Sequence, residues 1–344
     1  MALVAQGIER LPPEQKAVGS NPIEGAVTHI HLSVVSDPIK TKRMSKRERN
    51  FWTLVLLSFI LVLVTWRNAK DREQSLVVDP TNPQIVTSAE PTPEYDCAAN
   101  NPFSDANLSN WTATHNPGTF NATVLDVLNN CKYEIGNAQA TFPMASTGKV
   151  IIATGVLEKV ASGEIDYASV EADMRSMITV SDNAAADRLF ALIGKAPTFI
   201  DIETRYGLTQ TKTDRGWGTT LTNSADQVKL LDQVIGSAQS SLPDAQRQIL
   251  RDLMKSVVPD QAWGAGTNVP TGWSVAVKNG WYQAVPGDIP PVGLWRVNTV
   301  GMTWDELGTP RWIFAAYSNE WPTQGAGVSA WNDLAALITA NIAN

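Results

Sequence analysis

Hydrophobic positions along the chain change character several times. Residues 51–66, "FWTLVLLSFILVLVTW", form an unbroken apolar run with no charge inside it. As a helix this run spans about 24 Å, close to a hydrocarbon core, with Trp52 and Trp66 at its rims and Arg49, Arg67 and Lys70 able to snorkel. Residues 67–96 lose all periodicity and carry "DPTNPQ" and "EPTPEYD", which predicts an extended Pro/Thr-rich linker. Shorter patterns follow. "NATVLDVL" and "CKYEIGN" flank Asn129-Asn130 and predict strand, tight turn, strand. "KVIIATGVLEKVASG" is apolar on nearly all sides, as expected of a helix buried in the middle of a domain. "SADQVKLLDQVI" predicts a helix that opens with a capping box, Ser224 and Gln227, and buries Val228, Leu231 and Ile235.

The last third reads as three strands, "WSVAVKNGWYQ", "LWRVNTVGM" and "RWIFAAYSNEW", separated by Pro/Gly turns. A final amphipathic helix, "SAWNDLAALITANIA", presents Trp331, Leu334, Ile338 and Ile342 on one face. Strands at both ends with helices between them imply a sheet assembled from non-adjacent segments. The expected class is α/β of the α+β type.

Charge orders the chain in space. The flank "KTKRMSKRERN" before the apolar run is far more basic than "RNAKDRE" after it. The positive-inside rule then puts residues 1–50 in the cytoplasm, makes 51–66 a single transmembrane anchor, and leaves the 67–96 linker and the 97–344 domain outside. A cleaved signal is the rival, but neither an A-x-A site nor a lipidation cysteine follows the run. Residues 1–43 lack periodicity, and Met44 opens the charged stretch "MSKRERN", so 1–43 reads as an over-extended start. The chain carries 27 Lys/Arg against 34 Asp/Glu, a net charge of −7, which argues against nucleic acid as a partner. The two cysteines, Cys97 and Cys131, both lie beyond the anchor, where a disulfide is permitted and expected. The sequons at Asn107, Asn110 and Asn121 read as incidental.

Several chemistries are excluded by residue supply. "ASTGKV" cannot be a phosphate loop, because Pro143 stands where the first glycine belongs and Val150 where Ser or Thr belongs. The domain has one histidine, His115, and no GxSxG elbow, so a Ser-His-Asp triad has little to work with. No His/Cys/carboxylate spacing suggests a metal site, and no cofactor is implied. A serine nucleophile would therefore take lysine or a carboxylate as base. Ser146 and Lys149 lie at i and i+3 near a helix start, where their side chains can meet and backbone N–H groups favour an oxyanion.

Two further stretches give that pair weight. "VSDNAAADRL" supplies Ser181, Asp182 and Asn183, and "VAVKNGW" supplies Lys278, Asn279 and Gly280. SxxK, SDN and K-x-G in this order resemble the motifs of the class A serine β-lactamases and penicillin-binding proteins, over roughly residues 120–344. The resemblance implies an antiparallel sheet flanked by helices, an all-helical lobe, and a cleft between the two. It makes Ser146 the acylated nucleophile, Lys149 its proton acceptor and Ser181 a proton shuttle. The Ser146 and Trp281 N–H groups become the oxyanion hole. Asn183, Lys278, Asn279 and Gly280 become substrate-binding positions for a β-lactam or a peptidoglycan stem peptide. Trp217 and Trp281 would flank the cleft and could stack on ligands.

Two departures qualify the implication. Asn279 replaces the family's Ser or Thr, and its amide can donate to a carboxylate but cannot relay a proton. "GLTQTKTDRGWGTTLTNSADQ", the stretch that holds the deacylating glutamate in the family, contains none; Asp214 is the only carboxylate there before the predicted helix. The expectation is a membrane-anchored extracytoplasmic serine hydrolase that deacylates slowly. The alternative is a non-catalytic cell-wall or β-lactam-binding protein with the same fold.

Overall fold

The structure, a computed structural model, describes residues 95–342 apart from Arg215 and Ser237. The predicted cytoplasmic segment, the anchor and nearly all of the linker lie outside the described residues. Among the described residues, no helix is long and apolar enough to cross a membrane.

Helix α1 (Asp105–His115) precedes the hairpin of β1 (Phe120–Asp126) and β2 (Cys131–Gly136). The turn between them falls at Asn129-Asn130, where Asn130 takes the left-handed conformation at φ 54°. A disulfide joins Cys97 to Cys131 at the head of β2, with the Cα atoms 5.6 Å apart. After the short β3 (Phe142–Pro143) comes a helical lobe: α2 (Lys149–Ala161), α3 (Tyr167–Thr179), α4 (Asn183–Ile193) and α5 (Ala196–Arg205). β4 (Leu221–Thr222) pairs with β3 and leads into α6 (Ser224–Val234) and α7 (Asp244–Lys255). The chain closes with β5 (Ser274–Gln283), β6 (Trp295–Trp304), β7 (Pro310–Ser318) and α8 (Gln324–Ile342).

The main sheet runs β2-β1-β7-β6-β5, and every pairing in it is antiparallel. β1 therefore lies beside β7, its partner from the far end of the domain, with Val124 opposite Phe314. Period-2 alternation splits the strands between two cores. Trp312, Phe314 and Ala316 of β7 join Trp111 of α1 and Trp331, Leu334, Ile338 and Ile342 of α8 on one face. Ile313, Ala315 and Tyr317 pack on the other, with the helical lobe and α6. The indoles on the α1/α8 side keep their polar edges satisfied: Trp111 Nε1 donates to Ala330 O at 2.9 Å and Trp331 Nε1 to Val297 O at 2.8 Å.

Helix α2 is buried on every side from Lys149 to Leu157, as its unrelieved hydrophobicity predicts. The cap of α6 differs from expectation. Asn223, not Ser224, is the N-cap, and its side chain accepts from Asp226 N at 3.0 Å. Ser224 is instead spent on Thr123 Oγ1, 2.8 Å away, and Gln227 donates to Thr222 Oγ1 at 2.9 Å. Tertiary partners claimed both side chains of the predicted capping box.

Candidate active site

From Phe142 through Leu157 every residue is buried except Ser146. The serine opens to solvent from a 3₁₀ turn, Ala145–Gly148, that feeds directly into α2. In a 3₁₀ turn side chains at i and i+3 eclipse, which brings Ser146 over Lys149. Neighbouring elements fix the turn. Thr147 Oγ1 donates to Met144 O at 2.8 Å and lies 2.7 Å from the hydroxyl of Tyr317 on β7. Asn298 on β6 donates to Pro143 O at 2.9 Å. Ala145, just ahead of the serine, sits at φ 48°, an uncommon conformation for a residue with a β-carbon.

The Lys149 ammonium nitrogen is the hub. It lies 3.1 Å from Ser146 Oγ, 2.6 Å from Ser181 O, 3.1 Å from Ser181 Oγ and 2.8 Å from Asn183 Oδ1. A carbonyl and an amide oxygen can only accept, so Ser181 O and Asn183 Oδ1 take two of its hydrogens. A neutral lysine has no third hydrogen, and its lone pair is then left for the hydroxyls of Ser146 and Ser181. Burial pulls Lys149 down to about 7, against the opposing influence of Asp182 and Asp187.

The SDN segment supplies its groups at the start of α4. Asp182 caps the helix by accepting from Ala185 N at 2.6 Å, which leaves Ser181 outside it and Asn183 in its first turn. Ser181 takes φ 62°, and this left-handed turn presents both its carbonyl and its hydroxyl to Lys149. The same hydroxyl is 2.9 Å from Lys278 Nζ. Lys278 is wholly buried, and burial followed by the charge of Lys149 holds it well below the ordinary lysine range. Its ammonium also donates to Asn279 O at 3.0 Å. Ser181 is thus a hydroxyl bridge between two lysines.

β5 is one of the two edge strands of the sheet, and its register decides which atoms reach this cluster. Ala276 faces the lobe core and Val277 the opposite core, so Lys278 and Gly280 face the lobe while Asn279 and Trp281 face away. A β-carbon on Gly280 would lie 2.7 Å from Ser146 N and 2.8 Å from Met144 O, so only glycine fits. Ala284 N donates to Leu294 O, which puts the ladder bonds at even positions of β5. The Trp281 N–H therefore points off the open edge, beside the turn that carries Ser146.

Two predicted side chains point elsewhere. Asn279 is fully buried, and its amide nitrogen donates to Gln261 O at 2.8 Å and Trp263 O at 2.9 Å. Both amide hydrogens are committed, so it has none to offer a substrate carboxylate. The Trp281 indole stands edge-on to Trp263, centroids 5.8 Å apart, on the face opposite Lys278, and does not line the cleft. Strand alternation accounts for both. Asp214 is exposed on the loop between α5 and β4. Among the described residues, no group of three or more His, Cys, Asp or Glu is placed to hold a metal ion.

A family model described as the beta-lactamase enzyme family matches residues 167–294, a stretch that contains Ser181, Asn183 and Lys278 but begins after Lys149. Solved β-lactamases superpose on the domain. That of Xanthomonas campestris has a TM-score of 0.57 at 21% identity, covering 70% of this chain and 97% of its own. The TLA-1 extended-spectrum enzyme has a TM-score of 0.59 at 16% identity, covering 70% and 99%. The chain resembles the class A serine β-lactamases. LppW of Mycobacterium tuberculosis, provisionally named a lipoprotein, is 24% identical over 188 residues, 50% of this chain and 60% of that protein. The same identity and coverage hold for LppW of Mycobacterium bovis.

Sequence reasoning missed one participant of this β-lactamase-like site. Asp187 accepts from Trp217 Nε1 at 2.9 Å, and the Trp217 ring lies 4.9 Å from Lys149 Nζ. The i,i+4 spacing of Asn183 and Asp187 was the available signal, since it puts both on one face of α4.

Proposed function

We propose that this chain is a membrane-anchored, extracytoplasmic serine hydrolase that is acylated at Ser146 by β-lactams or peptidoglycan stem peptides and deacylates slowly. The observation that carries the reading is the solvent-open Ser146 in the otherwise buried stretch 142–157, with its Oγ 3.1 Å from Nζ of buried Lys149. Ser146 Oγ gives its proton to neutral Lys149 Nζ and attacks the substrate carbonyl. The oxyanion is held by the N–H groups of Ser146 and Trp281. As the carbon–nitrogen bond breaks, the proton passes from Lys149 through the Ser181 hydroxyl to the leaving nitrogen, with Lys278 behind that hydroxyl. Asn183 holds the substrate amide while its Oδ1 fixes Lys149.

Slow deacylation rests on the fate of the nearby carboxylates. Glu203 accepts from the Thr213 hydroxyl, and Asp226 accepts from Gln210 N and Thr211 Oγ1, both at 2.8 Å. These bonds commit both carboxylates to the α5–β4 loop. The alternative, a binding protein without turnover, draws support from Asn279, whose committed amide weakens recognition of a substrate carboxylate. Formation of a covalent penicillin adduct separates the two readings.

Membrane anchorage through residues 51–66, with residues 1–50 cytoplasmic, rests on the apolar run and its charge asymmetry. Protease added outside an intact inner membrane should digest the domain; protection until the membrane is opened would reverse the topology.

A further inference from the structure

We propose that Trp217, latched by Asp187, is a positioning residue that keeps water from the acyl group on Ser146, so that the site retains its acyl group. The inference rests on the acyl-enzyme reading above. Loop 207–220 lies against the turn that carries the nucleophile. Gly218 O accepts from Ala145 N and Thr220 O from Met144 N, each at 2.9 Å. The Trp217 carbonyl passes so close to Gly148 that a β-carbon there would be 2.5 Å from it. The loop's backbone is therefore stitched to residues on both sides of Ser146, and its indole is delivered onto Lys149.

The indole's position has a chemical consequence. Hydrolysis requires water to add to the ester carbonyl and give up a proton. The bond from Ser146 Oγ to the acyl carbon then breaks, Oγ takes the proton back, and the acyl group leaves as a carboxylic acid. Once it has passed its first proton to the leaving nitrogen, Lys149 is neutral and is the base nearest Ser146 Oγ among the described residues. A water that used it would need to approach its nitrogen, and an aromatic ring 4.9 Å away covers that approach. The ring is held by a polar bond, Nε1–H to Asp187, and Asp187 lies on the same helix as Asn183. A cation–π attraction between ring and ammonium favours the charged lysine. Burial outweighs it, since Lys149 is held down to about 7.

The test uses the full chain in detergent, loaded with penicillin and freed of excess, with the adduct followed by intact mass. Trp217→Ala and Asp187→Leu should raise the ratio of deacylation to acylation rates by about a hundredfold, the lower end of a general base's usual contribution. Trp217→Phe, which keeps a ring but loses the N–H, should fall between them and the parent. The pH midpoint of acylation should move upward in Trp217→Ala as water returns to Lys149, a change that loosened packing elsewhere would not produce. Unchanged adduct lifetime in folded Trp217→Phe and Asp187→Leu would overturn the role of Trp217 alone. Absence of any adduct on the parent chain would overturn the acyl-enzyme reading, and this inference with it.

Discussion

Gly280 lies so close to Ser146 that a β-carbon on it would sit 2.7 Å from the serine's backbone nitrogen. Sheet edge and nucleophile turn touch through backbone alone at this point. Gly280→Ala should force them apart and misplace the oxyanion donors. Loss of one such donor typically costs 10²–10³ in rate, so acylation should fall by about a hundredfold while the domain remains folded. Stopped-flow acylation with a fluorescent penicillin, alongside circular dichroism, checks this.

Lys149 titrates near the middle of the accessible pH range. Its folded value, about 7, lies below that of an exposed lysine. Only the neutral form accepts the Ser146 proton, so acylation should rise with pH and level off above about 7. Stability carries the same sign. Above the folded value the native state has released a proton that the unfolded chain keeps, so stability should increase from pH 7 towards 9. Lys278, also pulled down by burial, adds to that slope. Lys149→Met should flatten the stability profile and abolish acylation. Thermal melts across pH, paired with acylation rates, test both limbs.

The hydroxyl of Ser181 and its left-handed backbone can be separated by substitution. Ser181→Ala and Ser181→Gly both remove the bridge between Lys149 and Lys278 and should slow acylation alike. Their stabilities should differ, because φ 62° costs alanine roughly 1 kcal/mol and glycine nothing. Chemical denaturation should rank Ser181→Gly above Ser181→Ala. The reverse order would mean that the backbone at 181 is not left-handed.

How much of this was legible in the sequence follows from the distance over which each signal acts. The hairpin at Asn129-Asn130, the all-round apolar α2 and the stripe on α8 are local patterns, and the structure contains each of them. The cluster of Ser146, Lys149, Ser181, Asn183 and Lys278 came from motif order, and the fold brings these five side chains within a few hydrogen bonds. What the motif letters concealed was direction. Period-2 alternation already turns Asn279 and Trp281 away from Lys278, but reading K-N-G-W as one unit hid it. The α6 cap shifted by one residue because Thr123 and Thr222, distant from Ser224 or fixed by β4, captured the expected side chains. The latch of Trp217 on Asp187 depends on how a loop folds back, which no local pattern encodes.

The central claim is that Ser146 forms a persistent acyl-enzyme, and intact-protein mass spectrometry after exposure to penicillin tests it most directly. The account predicts one added penicilloyl mass that survives removal of excess drug, maps to the peptide containing Ser146, and is absent from Ser146→Ala. A folded parent chain that shows no added mass with any β-lactam, or that hydrolyses a chromogenic cephalosporin rapidly, would contradict it.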